Sequence, residues 1–379
     1  MGGGRIRVAH VMHGLMMGGL EQVVVRLCDA GRGVGIEPLV IAFGADGTVR
    51  EVLRDHHIPL AYLGNVRGMS PQTIQSIARV LREHRADVSH AHDIGPWLNA
   101  AASRALAPRV RTTVTFHQIA TPAGFERGAA IGAALVSDAL VACGDEVYAC
   151  VRRWAPPGTR IALIPNGVPI GPEPTPEDRS RARARMGIPE SARVFGYLGR
   201  LHEEKGVDLL VDAFVSSFEA RDDVHLVLIG KDGREGHPFE ASLRATAERA
   251  GTGRIHFLGE RVDAASLLPG FDVYVQPSRR EGRSLSMLEA MAAGLPTVAQ
   301  GLTPIREIHV DGETALLVLP GPQPPLGLAM RRLLEDDALR ARLGRKARER
   351  VRRHSVESMA EAYAELYEDM LEGKKRVGT

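Results

Sequence analysis

Two glutamates eight positions apart, Glu281 and Glu289, sit in the run Pro277-Ser-Arg-Arg-Glu-Gly-Arg-Ser-Leu-Ser-Met-Leu-Glu-Ala-Met-Ala-Ala-Gly-Leu-Pro. An apolar strand ends at Gln276, a glycine-bearing loop follows, and the spacing predicts a helix from near Ser284. A loop leading into a helix start presents unpaired backbone N–H groups and a positive dipole end, which suits a diphosphate. Glu289 then stands about 7.5 Å along the helix axis. That is the reach from a bound phosphate to ribose hydroxyls, which a carboxylate accepts as paired hydrogen bonds. Glu281 lies in the loop, free to face a sugar. Either glutamate alone would read as a solvated surface residue; the run around them carries the reading.

A second stretch, Tyr197-Leu-Gly-Arg-Leu-His-Glu-Glu-Lys-Gly, puts Arg200 and Lys205 in one loop after a strand. Two cations at a strand mouth can neutralise the charge that builds on a departing diphosphate. A third, Met16-Met-Gly-Gly-Leu-Glu-Gln, is a diglycine turn at Gly18 and Gly19 that lets backbone approach a phosphate or sugar closely. Neither it nor Gly230-Lys-Asp-Gly is a GxGxxG fingerprint, so dinucleotide binding is poorly supported.

Other candidates carry less. His90 and His92 alternate as zinc ligands can, but no further Cys or His cluster accompanies them in the sequence, so structural or polar lining is favoured over acceptor contact. His10 and His13 read both ways. Trp97 and Trp154 read as packing rather than as sugar platforms. The three cysteines, Cys28, Cys143 and Cys150, form no CxxC pair and suit reduced thiols. No Asp-x-Asp motif occurs, so no metal site is expected and protein cations must do the work of Mg²⁺.

The elements that position these residues alternate. Strands are expected over 6–12, 39–43, 88–92, 110–116, 139–143 and 161–164, with helices between them, for example over 20–30 and 74–83. A linker of five prolines and two glycines spans 165–176. A second series follows, with strands over 193–198, 224–229, 254–257, 273–276, 296–299 and 315–318. Its helices cover 207–218, 239–250 and 284–293. Strand, helix, strand in this order means parallel sheets covered on both faces. The expected fold class is α/β, two doubly wound Rossmann-like domains over about 1–168 and 177–358. They would face each other across a cleft that holds a substrate in each half. A C-terminal helix over about 360–379 is expected to pack back on the first domain.

Composition agrees with a two-domain globular chain: 379 residues, 44% hydrophobic and 25% charged. A net charge of +2 gives no reason to expect nucleic acid as partner. The charge is uneven: ten Arg and Lys stand against four acids between Arg331 and Arg353, a solvated helical face that leaves peripheral contact with an anionic membrane open. The first apolar run is too short for a signal peptide and nothing is long enough to span a membrane, so the cytoplasm is the expected compartment.

Together these features resemble the retaining glycosyltransferases of the GT-B fold, family 4. The resemblance covers nearly the whole chain. It rests on Gly18-Gly19-Leu20-Glu21, His117 after Val-Thr-Phe, Pro165-Asn-Gly-Val and Gly199-Arg200…Glu204-Lys205-Gly206. Most specific is Glu281-x7-Glu289-Ala-Met-Ala-Ala-Gly-Leu-Pro. It implies that Arg200 and Lys205 hold the diphosphate, Glu289 binds ribose and Glu281 the sugar hydroxyls. The backbone of Arg283, Ser284 and Leu285 would contact phosphate. Gly18 and Gly19 would close over the donor, His117 would lie near the transferred sugar, and the base would sit near Arg261.

Arg283 and Ser284 depart from the family's usual aromatic or aliphatic residue followed by a small one or proline, which puts donor or acceptor preference in doubt. The implied reaction is metal-independent, retaining hexosyl transfer by front-side substitution from a nucleotide-diphosphate sugar, UDP-linked in preference to GDP-mannose. The acceptor is not legible; loops over 12–18, 64–69 and 118–128 are expected to build its site. The rival expectations are a nucleotide-sugar-binding protein without transferase activity, an epimerase of the same shape, and an NAD-dependent oxidoreductase.

Overall fold

Alternation along single strands decides where the cores lie. In the strand Ile36–Ala42, Leu39 and Ile41 are buried in one cluster while Val40 and Ala42 are buried in another. A strand that is apolar on both faces needs helices on both faces, the condition of a parallel sheet. The same split recurs at Val224–Ile229, where Leu226 and Leu228 face one core and Val227 and Ile229 the other.

The computed structural model describes residues 5–66, 68–119, 121–251, 253–282, 284–321, 323 and 325–373. The chain divides into two compact units, Met1–Gly167 with His354–Thr379, and Val168–Arg353. The first holds seven strands: β1 Ile6–Met12, β2 Ile36–Ala42, β3 Leu60–Tyr62, β4 Val88–His92, β5 Arg111–Phe116, β6 Ala139–Ala142 and β7 Ile161–Leu163. Their order is β3-β2-β1-β4-β5-β6-β7, and every pairing is parallel. The second unit holds β8 Arg193–Leu198, β9 Val224–Ile229, β10 Ile255–Phe257, β11 Val273–Gln276, β12 Thr297–Gln300 and β13 Ala315–Val318. Their order is β10-β9-β8-β11-β12-β13, again all parallel.

Both sheets are doubly wound, and each reverses its strand order once, between β1 and β4 and between β8 and β11. Ligands of such sheets bind beyond the carboxyl ends of the strands at that switch point.

The boundaries differ from the expectation in physically simple ways. β2 begins three residues before the expected 39, because Ile36 and Pro38 continue the register against Ile6 and Val8. β3 was not expected; it is a three-residue edge strand with each residue half-buried, too short to show a period. The first unit reclaims the chain at His354, and the helix Val356–Leu371 packs there with Tyr363 and Tyr367 fully buried. Trp97 is buried against Phe116 and Trp154, the packing role expected of both tryptophans.

Candidate functional site

At the switch point of the second unit, two loops meet. The loop after β8 runs to a short 3₁₀ turn, Glu203–Lys205, and ends at Gly206, which has φ +63°. A Cβ there would lie 2.1 Å from the carbonyl oxygen of Pro277, so only glycine lets this loop approach the end of β11. The main chain then joins the two: Arg279 and Arg280 each donate an N–H to the Glu204 carbonyl.

This approach brings Lys205 to Glu281, with Nζ 2.7 Å from Oε1. Glu281 was expected to be free to face a sugar; instead its carboxylate is nearly buried and fully engaged. Its Oε2 accepts from Gln276 Nε2 and Ser278 Oγ, both at 2.9 Å. Gln276 in turn accepts from the Tyr274 hydroxyl at 2.7 Å. Burial first, then the nearby carboxylates Glu281 and Glu289, push the Tyr274 phenol up, so it stays a neutral donor. Tyr274, Gln276 and Ser278 were missed as site residues. Their signal was present in the sequence: polar residues spaced by two at the end of an apolar strand share one face.

Ser284 is the N-cap of the helix Leu285–Ala292, and its Oγ accepts from the Met287 N–H at 3.4 Å. Glu289 is the fifth residue of that helix, half-buried. Arg283 lies outside the described residues. Arg200 is exposed in the loop after β8, and the Tyr197 hydroxyl donates to its carbonyl at 2.9 Å. Arg261 makes a two-pronged ion pair with Asp263, at 2.8 and 2.9 Å, which Arg185 joins. Lys205, Glu281, Ser284, Leu285 and Glu289 thus cluster at one strand mouth, while Arg261 follows β10 at the sheet edge.

The first unit places its candidates at its own switch point. Gly18 caps the helix Gly19–Gly31 in extended conformation. His117 follows β5; its N–H donates to Asp93 Oδ1 at 2.8 Å, and its Nε2 lies 3.1 Å from His92 Nδ1. Asp93 has φ +65°, a strained conformation for a non-glycine residue, between β4 and the helix Ile94–Ser103. The expectation that no further histidine accompanies His90 and His92 is corrected here. β1 pairs with β4 so that His10 sits opposite His90, and His10 Nδ1 lies 3.2 Å from His92 Nε2. His90 bonds Tyr367 and Thr115 through its two nitrogens, both at 2.7 Å. No spacing in the sequence announces the cluster, because strand order rather than sequence order assembles it.

Four of the ten basic residues of the C-terminal stretch are spent on the fold. Arg340, Arg342, Arg348 and Arg350 donate to main-chain carbonyls within the second unit. Among the described residues no helix is long and apolar enough to cross a membrane.

Residues 178–350 match the family model described as glycosyl transferases group 1, and residues 17–171 the model described as glycosyltransferase family 4. The phosphatidyl-myo-inositol mannosyltransferase of Mycobacterium leprae is 30% identical over 383 residues, covering 95% of each chain. A D-inositol 3-phosphate glycosyltransferase of Xylanimonas cellulosilytica is 32% identical over 307 residues, 74% of this chain and 71% of that one. Among solved structures, Anabaena Alr3699/HepE in complex with UDP and glucose has a TM-score of 0.84 at 23% identity, covering 96% of this chain and all of that one. The paired doubly wound sheets, the helix start at the second switch point and these likenesses over nearly the whole length agree. The chain belongs to the family 4 glycosyltransferases and has their GT-B fold.

Proposed function

We propose that the protein transfers a hexose from a nucleotide-diphosphate sugar to a hydroxyl acceptor, with retention at the anomeric carbon and without a metal ion. The observation that supports it best is the strand mouth of the second unit. A lysine, a capped helix start and a carboxylate in that helix's second turn meet there, with an exposed arginine on the same loop as the lysine. Backbone N–H groups of Ser284 and Leu285, with Lys205 and Arg200, are assigned to the diphosphate, and Glu289 to ribose. Glu281 is assigned to aiming Lys205, which its bonded network holds in place. Gly18, Gly19 and His117 are assigned to the transfer on the resemblance alone.

In the proposed step the acceptor oxygen bonds to the anomeric carbon as the bond to the β-phosphate oxygen breaks. The acceptor proton passes to that leaving oxygen on the same face. Charge collects on the diphosphate, where prepaid cations and dipoles stabilise it without reorganising.

The donor is taken as UDP-linked in preference to GDP-mannose. Solved neighbours of the same fold hold UDP, UDP with glucose, or UDP-glucose. The mannosyltransferases among the sequence relatives favour a mannosyl donor as the second reading, and their names make inositol hydroxyls the first acceptors to try. A thermal-shift comparison of UDP-glucose, GDP-mannose and NAD tests the donor class. A ligand at 100 times its dissociation constant adds about 2.7 kcal/mol of stability. A shift with NAD alone would overturn the reading. Binding without product across acceptors would make the chain a nucleotide-sugar-binding protein, and turnover without acceptor an epimerase.

A further inference from the structure

His10, His92 and His117 form a chain of rings in the first unit, joined Nδ1 to Nε2 at 3.2 Å and again at 3.1 Å. Burial holds His10 down to about 3 and keeps His92 and His117 below the ordinary imidazole value, so all three are neutral at pH 7. A neutral imidazole has one donor and one acceptor nitrogen. Each ring–ring bond needs one proton between its two nitrogens, so the three tautomers cannot be chosen independently. All three rings carry the proton on Nδ1, or all three on Nε2.

The two ends of the chain decide between these. His10 Nε2 and His117 Nδ1 are both shut off from water and lack a hydrogen-bond partner. One end must bear an unshared N–H and the other an unshared lone pair. An orphaned buried N–H is the rarer of the two in proteins, and His10 is wholly buried in mid-strand, whereas His117 is only half-buried past the end of β5, where a ligand can approach. The Asp93 carboxylate acts on His117, at the other end, and favours positive charge there. With every proton on Nδ1, the N–H dipoles run from His10 toward the His117 end of the chain, the end on which Asp93 acts.

We propose that His10 and His92 are positioning residues that fix the proton of His117 on Nδ1, so that His117 meets its ligand as a hydrogen-bond donor. This rests on the assignment of His117 to the transferred sugar; an oxygen of that sugar is the partner the N–H lacks. His90 stands outside the chain, since Tyr367 and Thr115 take both its nitrogens. For the same reason a metal ion among His10, His90 and His92 would have to break hydrogen bonds already made.

Long-range ¹⁵N–¹H correlation spectra of the ligand-free full chain at pH 7 distinguish the two tautomers. The expected result is a neutral Nδ1–H pattern at His10, His92 and His117 alike. In His10→Phe the His117 nitrogens move toward a mixed pattern although two hydrogen bonds separate the rings, which a mere packing role would not produce. His92→Leu lowers kcat about tenfold, the scale of one hydrogen bond, with a smaller change in KM for the nucleotide sugar. Should a variant fail to fold, the spectrum of the unaltered chain still decides. An Nε2–H pattern, an imidazolium or metal-shifted nitrogens at any of the three rings would overturn the proposal. The spectrum needs neither ligand nor turnover, so a chain without transferase activity but with this pattern refutes only the functional reading.

Discussion

Glu281 and Glu289 share a strand mouth but differ in what their loss should do. Glu289 is in the second turn of the helix assigned to the diphosphate, so Glu289→Ala should weaken nucleoside diphosphate binding by about 1–3 kcal/mol in calorimetry, the worth of a charged hydrogen-bond pair. Unchanged affinity would remove ribose from its assignment. Glu281 spends its charge on Lys205 and its second oxygen on Gln276 and Ser278. Glu281→Gln therefore leaves Lys205 uncompensated. Nucleoside diphosphate affinity should hold or rise while turnover falls, because Lys205 is no longer aimed. Equal loss of binding and turnover would contradict this division. The sequence showed both glutamates and both cations, since residue type and local spacing are enough to nominate them. It did not show that Glu281 and Lys205, 76 positions apart, are partners, because that contact depends on β8 lying beside β11.

The elements that carry these residues constrain them as much as the residues' own chemistry does. Gly206 combines a left-handed backbone with a Cβ position occupied by the Pro277 carbonyl. Gly206→Ala should push the Lys205 loop off β11. The expected outcome is a lower melting temperature and weaker nucleoside diphosphate binding together; a change in neither would show that the loop has other room. Likewise Tyr367→Phe leaves His90 Nδ1 buried without its partner and should cost about 1–3 kcal/mol in urea unfolding. Most strands were legible because apolar β-branched runs between turn residues announce themselves. β3 was not, having three half-buried residues at an edge, and neither was the histidine cluster, whose members come from β1, β4 and the end of β5.

Among the described residues, seven histidines, His10, His90, His92, His117, His225, His256 and His309, are held below the ordinary imidazole value, burial being the largest cause for each. The unfolded chain takes up protons at these sites near pH 6.5 while the folded one resists, so stability is full above that pH and falls as pH drops toward the folded values. Each contributes up to about 1.4 kcal/mol per pH unit, and less at the half-buried His225 and His256, which solvent screens. Urea midpoints should therefore decline steeply from pH 7 to 5, and a flat profile would mean these rings are accessible to protons. The alternating pattern of the sequence implied two units, and the run from Glu281 to Pro296 implied the family; acceptor identity was not legible, because loops rather than strands carry it. If protein cations drive sugar transfer, acceptor-dependent release of nucleoside diphosphate should persist in excess EDTA. Full release, matched one to one by glycoside and reduced on the order of 10²-fold in Arg200→Ala, is the predicted result; release abolished by EDTA and restored by Mg²⁺ or Mn²⁺ would contradict it.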